Sequence, residues 1–271
     1  QVLNPETPVI VIRSPQTLWR NILQYQKVGG LMTYERSIEL YGDGIGRVDY
    51  VQHMGSDLTV VNSARVSFGK NKAVLDARDE KLISYLIKHR HTSTLEHCSV
   101  TYRFLVPLFV RSQHHRHRTW SYNEISRRYT DVNLQFYEPT AFRTQHKSNR
   151  QASNAEELIN PVIIPDLSDP DYGIRACQRI SEHHAFSVNL YNDLMAKGVC
   201  REQARGVLPQ NLYTEYYGTV NLNNLLKFID LRTHDGAQWE IQKVAQACLE
   251  IATDLWPVTV NAYRRIKENE K

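Results

Sequence analysis

The chain has 271 residues, 41% of them apolar and 10% aromatic, with a formal net charge of +4. That length carries one large domain or two small ones, and so mild a charge excludes both a polycation acting by bulk attraction and an acidic disordered segment. Twelve Gly exclude a chain built on Gly-rich nucleotide loops, and the longest apolar run, 104–110, contains Pro107 and falls far short of the roughly twenty residues of a membrane span.

No basic stretch followed by an apolar one opens the sequence, so no secretory leader is expected; Gln1 in place of Met implies a trimmed or processed end. Residues 1–46 read as an added segment. Val9–Ile12 suggests a short strand, and Ser14-Pro15 an N-cap with Pro at the first helical position. Leu18, Ile22 and Leu23 give that helix an apolar stripe, and Gly29-Gly30 is expected to end it. Gly42, Gly44 and Gly46 mark a flexible joint before a strand at 48–53. Leu82, Ile83, Leu86 and Ile87 place a helix over 76–89. Val100, Tyr102, Phe104 and Val106 alternate with polar residues, the period of a half-buried strand. A short helix from 108 to about 117 and a strand at 133–137 are expected next.

Residues 139–172 lack a period and contain four Pro; a stretch of that kind is a flap or an insert. Helices are predicted over 177–196, around Arg201 and Arg205 at i, i+4, over 222–229 with Asn221 as cap, and from Ile241 toward the end. A strand covers 212–220. Helices outweigh strands without a βαβ rhythm, so the fold class is α+β, with a helix-rich C-terminal half. Cys98, Cys177, Cys200 and Cys248 form no C-x-x-C, and reduced thiols in a cytoplasmic protein are expected.

The charge has an address. Residues 111–129 hold five Arg, three His and one acid, Glu124, an excess that matches the net charge of the whole chain. Arg presents a planar fork of donors suited to phosphate. The interleaved Trp120, Tyr122 and Tyr129 could stack on a base, and Ser121, Asn123 and Ser126 add neutral partners. This pattern suits a nucleotide site without a glycine loop. The histidines do not make a metal site: there is no H-E-x-x-H, and neighbouring Arg side chains repel a dication. Arg232 ends one helix just before Gln238 and Glu240 open another. Such an Arg serves either the loose carbonyls of a C-cap or a ligand.

Arg116-His117-Arg118, seven residues, then Ser126 resembles the R-H-R-x7-S signature of the flavin-dependent thymidylate synthases, the ThyX type. A-R-V-S-F at 64–68, H-x-S-x-x-E-H at 91–97, N-L-Y-T at 211–214, T-V-N at 219–221 and L-R…A-Q-W-E at 231–240 follow in matching order, over residues 48–265. The resemblance implies a ThyX-type fold with a mixed or antiparallel sheet packed with helices. It implies a synthase domain at 47–271, an extension at 1–46 and an unusually long 139–172 stretch. It also implies conversion of dUMP to dTMP with methylenetetrahydrofolate, FAD and NADPH, in a homotetramer with shared active sites. Ser67, His91, Ser93, Arg116, His117, Arg118, Glu124, Asn221, Asn223 and Lys227 would contact FAD. Gln113, His114, His115, Arg116, Glu124, Ile125, Ser126, Arg127 and Arg128 would bind dUMP. Arg205 would reach its phosphate from another subunit, and Arg232 would be the catalytic contact to the uracil ring. Ser126 has Arg neighbours and no adjacent base, so it is expected to bind substrate rather than attack it. The rival readings are a nucleic-acid-binding module using 111–129 and a flavoprotein of this fold with altered activity. Neither a nucleic-acid nor a membrane partner is expected.

Overall fold

The alternation at 100–106 is realised, in the computed structural model, as the central strand of an antiparallel sheet. The structure describes residues 24–28, 31–131, 134–166, 168–169 and 172–269; the expected strand at 9–12 and the first turns of the helix after Ser14 lie outside them. The chain divides into two units, Gln1–Arg36 and Ser37–Lys271.

In the first unit, β1 (Gln24–Val28) pairs antiparallel with β2 (Leu31–Glu35), with Val28 opposite Leu31. The helix expected to run to Gly29 is therefore a strand over its last residues. The sequence carries the reason, since Gly-Gly between two runs containing Tyr, Thr and Val is a hairpin signal as much as a helix stop.

In the second unit, β3 (Ser37–Glu39) pairs with β4 (Arg47–Met54). The glycines between them form a tied strand connection rather than a loose joint. Glu39 Oε1 accepts from Gly44 N at 2.7 Å, and Asp43 Oδ1 accepts from the N–H groups of Ile45 and Gly46, each at 2.9 Å. Gly44 has φ +70°, the left-handed region that glycine enters without strain.

Next come α1 (Asp57–Arg65) and α2 (Ala77–Lys88), the latter capped by Asp76. Beyond them are β5 (Ser99–Pro107), α3 (Leu108–His114) and β6 (Ser121–Glu124). The helix expected to reach 117 stops at His114, and Arg116-His117-Arg118 lies in the turn leading to β6. Of the strand expected at 133–137, Asn133 lies outside the described residues and 134–137 hold one bridge, Phe136 to Leu212. Residues 139–172 are not without structure: β7 (Phe142–Gln145) pairs with β8 (Ser153–Ile159), and β9 (Val162–Pro165) pairs with β10 (Gly173–Arg175). These strands are short and mostly exposed, so neither face leaves a clean alternation to read. α4 (Ala176–Ala196), α5 (Arg201–Ala204), β11 (Tyr213–Asn221), α6 (Leu222–Arg232), α7 (Trp239–Leu255) and α8 (Pro257–Glu268) complete the chain.

The main sheet has the order β3-β4-β5-β11-β6, antiparallel at every step. Val100, Tyr102, Phe104 and Val106 on β5 and Tyr216 and Val220 on β11 share the buried face, in one core with α6, α7 and α8. Tyr102 OH donates to the Cys248 carbonyl of α7 at 3.3 Å. A Cβ on Gly218 would stand 2.9 Å from Phe104 and 3.2 Å from Trp120, so only glycine lets those rings close over β11. The buried Asp57 at the start of α1 caps α8, accepting from Val258 N (3.1 Å), Thr259 N (2.8 Å) and Thr259 Oγ1 (2.6 Å). Asn221 caps α6 as expected, accepting from Asn224 N at 2.9 Å. Among the described residues no helix is long and apolar enough to cross a membrane.

Candidate active site

The basic run leaves β5 through α3, turns at 115–120 and enters the sheet again as β6, against β11. This path splits its side chains into an inward and an outward set.

The inward set is aromatic. His114 is fully buried; its Nδ1 meets Tyr216 OH at 2.8 Å. Phe104, Trp120, Tyr122 and Phe228 surround its ring at centroid distances of 4.8, 4.5, 5.3 and 4.7 Å. Burial, then the neighbouring His117 and His115, push its pKa well down, so it is a neutral core residue. His115, half-buried, stacks on Tyr122 at 4.1 Å. The expectation that Trp120 and Tyr122 stack on a base is corrected: Trp120 is 6% exposed and both rings pack inside the molecule, leaving Tyr129 exposed. Packing around β11, not ligand binding, accounts for those two aromatics.

The outward set forms two groups. The first surrounds a cleft of about 540 Å3 between β6, α3 and the segment after α5, lined by Arg111, Glu124, Ile125, Ser126, Arg127 and Arg205. Arg111 Nε and Thr214 Oγ1 both donate to Glu124 Oε1, at 3.0 and 2.7 Å. Arg127 Nη2 donates to the Tyr213 carbonyl at 3.3 Å, and burial lowers its pKa from the ordinary value. Arg128 pairs with Glu202 at 3.4 Å at the rim. Ser126 Oγ accepts from Arg128 N at 3.3 Å, and no carboxylate or imidazole is bonded to it among the described residues. Arg205 follows the four-residue α5 in a 3-10 turn. It lines the same cleft as residues 124–127 of its own chain, brought there by the chain's return from α5 to β11.

The second group is the corner where α6 meets the 113–117 turn. Arg232 closes α6; its Nε donates to His117 Nε2 at 3.0 Å and its Nη2 to the Gln113 carbonyl at 3.3 Å. Burial, then the Arg232 charge, push His117 down to about 4, so the ring is neutral, with Nε2 the acceptor. Arg232 is thus oriented by two acceptors and does not line the first cleft.

The remaining predicted contacts are exposed except Asn221 and Asn223. Arg116 and Arg118 are exposed and make no ion pair among the described residues. Ser67, His91, Ser93 and Lys227 are exposed. Asn223 is buried, and its Nδ2 donates to Glu96 Oε1 at 3.0 Å, which ties α6 to the short turn at 92–95. Sequence reasoning did not assign Thr214 and Arg111 to Glu124, or Arg143 to Glu240 at 2.7 Å. Thr214 lies in the quoted N-L-Y-T motif, which was a usable signal; nothing local marks Arg143. Burial drives the Cys98 thiol up to about 12 and raises Cys248 too, so neither is a thiolate nucleophile.

A core of sheet and helices that carries clustered arginines and an oriented guanidinium on its surface defines an α+β protein with a cleft whose charge suits an anion. The sequence model of the thymidylate synthase complementing protein family matches residues 49–258. A flavin-dependent thymidylate synthase from Thermus thermophilus is 42% identical over 218 residues, which cover 80% of this chain and 75% of the relative. One from Kosmotoga olearia is 38% identical over 80% of this chain and 90% of its own. The crystal structure of the UMP/dUMP methylase PolB from Streptomyces cacaoi, bound with 5-Br UMP, matches with a TM-score of 0.68. Its identity is 31%, over 84% of this chain and 97% of that one. The chain belongs to the family of flavin-dependent thymidylate synthases.

Proposed function

We propose that this chain methylates dUMP reductively to dTMP, with methylenetetrahydrofolate as carbon donor, FAD as redox carrier and NADPH as reductant. The observation that carries this reading is the Arg232 fork, held by His117 and Gln113, in a chain whose relatives are flavin-dependent thymidylate synthases. We assign the synthase domain to 37–271 rather than to the expected 47–271, because Ser37–Glu39 is a strand of the main sheet, and this leaves 1–36 as the extension.

Nucleotide phosphate fits the cleft of Arg127 and Arg205, with the Ser126 hydroxyl as a neutral partner. Ser126 lacks an adjacent base and binds rather than attacks. Glu124, fixed by Arg111 and Thr214, keeps its other oxygen for a hydroxyl or ring N–H. The guanidinium of Arg232 lies along the pyrimidine edge and stabilises negative charge that develops on the ring. Neutral His117 takes up one of its N–H groups and so directs the others.

The guanidinium groups of Arg116 and Arg118, exposed and without an ion pair among the described residues, fit the diphosphate of a flavin nucleotide. Bound flavin would supply hydride to the pyrimidine, so no enzymic thiol is required. Ser67, His91, Ser93, Asn223 and Lys227 complete the contacts we assign to it. Arg232 does not line the phosphate cleft of its own chain, and a homotetramer with shared active sites would let one copy's cleft face another copy's Arg232.

The purified protein should show a flavin absorbance band and oxidise NADPH faster when dUMP is added. A colourless protein that remains inactive with added FAD contradicts the proposal. A nucleic-acid module is disfavoured because Trp120 and Tyr122 are spent in the core.

A further inference from the structure

Glu240 is the second residue of α7 and is only 4% exposed. Its Oε1 accepts from Arg143 Nη2 at 2.7 Å and from Tyr137 OH at 3.2 Å. Its Oε2 accepts from Gln238 Nε2 at 2.8 Å. Gln238 Oε1 in turn accepts from Gln113 Nε2. The chain of bonds thus runs from Arg143 on β7, in the long 139–172 stretch, to the corner that holds Arg232.

Its direction is dictated by one group. An ionised carboxylate only accepts, so Glu240 requires the NH2 end of the Gln238 amide. That leaves Gln238 its carbonyl, which requires the NH2 end of Gln113. The two amides, which could otherwise be turned either way, have a single consistent arrangement. Gln113 Oε1 is the end left over: it has no partner among the described residues and is not among the buried unpartnered atoms. The backbone carbonyl of Gln113 meanwhile accepts from Arg232 Nη2. One corner therefore presents a carbonyl acceptor together with guanidinium donors.

We propose that Glu240 and Arg143 are positioning residues that fix the polarity of the Gln238–Gln113 amide pair, so that Gln113 turns a carbonyl to the nucleotide ring and selects an imide edge. The proposal rests on the dUMP reading above and deepens it by naming what reads the base. An imide such as that of uracil has an N–H between two carbonyls, which matches an acceptor beside donors. A cytosine ring has a bare nitrogen at that place and meets a carbonyl against it. The 139–172 stretch then has a task, since its Arg143 pairs with the Glu240 carboxylate and holds it facing Gln238.

The test is calorimetric binding of dUMP and of dCMP to the flavin-loaded full chain and to two variants. Glu240→Gln keeps shape but can donate or accept, so either amide arrangement becomes available; Arg143→Met removes the partner from outside the core. Each should narrow the dUMP-over-dCMP ratio by about tenfold, the worth of one buried hydrogen bond, and Arg143→Lys should restore it. Glu240→Gln should add nothing in a Gln113→Ala background. Equal losses for both nucleotides, or an unchanged ratio, would overturn the positioning role and leave the dUMP reading intact. Wild-type protein that binds no dUMP would overturn both.

Discussion

Replacing His117 by Phe removes the Nε2 that accepts from Arg232 Nε at 3.0 Å while keeping an aromatic ring edge-on to Phe228, at 4.9 Å in the native protein. The guanidinium keeps its bond to the Gln113 carbonyl but is left with a half-buried charged N–H without a partner. Such a loss costs about 2 kcal/mol, which corresponds to about a 30-fold fall in kcat/KM if the fork acts in the transition state. His117→Gln supplies an acceptor and should stay within a few fold. The pH profile gives a second handle. With its folded pKa at about 4, below the roughly 6.5 of free imidazole, the unfolded chain binds the extra proton first. Stability attached to this ring is therefore fully present above the unfolded value and declines as pH falls through the window between about 6.5 and 4. Wild-type activity should show an acid limb near pH 4 that His117→Gln lacks. The assay is dUMP-dependent turnover with the flavin content measured in the same sample. If His117→Phe retains its flavin and runs within twofold of wild type, the orienting role of His117 is refuted.

Three further outcomes follow from the geometry. Ser126→Ala should raise KM for dUMP by roughly tenfold through a lost phosphate partner and leave kcat near normal; a kcat loss with unchanged KM in steady-state kinetics would make Ser126 a catalyst. Asp57→Ala strips three bonds from the first turn of α8 and should destabilise the fold by about 2–4 kcal/mol, with Asp57→Asn losing less, as read by urea unfolding. Gly218→Ala drives a methyl against Phe104 and Trp120 and should cost about 1–3 kcal/mol; an unchanged midpoint would show that the cage around His114 yields.

The parts of the fold that were legible in the sequence are those with one buried face. β5 alternates because Val100, Tyr102, Phe104 and Val106 all meet the helices, and α6 announced itself through the Asn221 cap and its apolar stripe. β6 is four polar residues whose place is set by pairing with β11, and no local pattern marks it. The pairing of β1 with β2 was not foreseen because Gly-Gly in a sequence signals a helix stop and a strand reversal alike. In the site, arginines gathered by spacing were legible as an anion cluster, and the contacts with His117 and Gln113 show what orients Arg232, whose role the sequence left open. Trp120 and Tyr122 misled because a basic run that re-enters a sheet must bury every second side chain, and the sequence of the run does not say which. Arg143 was invisible because its partner Glu240 lies almost a hundred residues away, reached only through folding.

The central claim is that Arg232, held by His117 and Gln113, supports methylation of a dUMP bound at the Arg127–Arg205 cleft. The most direct measurement is tritium release from 5-tritiated dUMP, with FAD, NADPH and methylenetetrahydrofolate present, for wild type and Arg232→Ala. Release by wild type that requires all three additions, and near-complete loss in Arg232→Ala with flavin still bound, is the predicted result. No release from flavin-loaded wild-type protein, or undiminished release from Arg232→Ala, would contradict it.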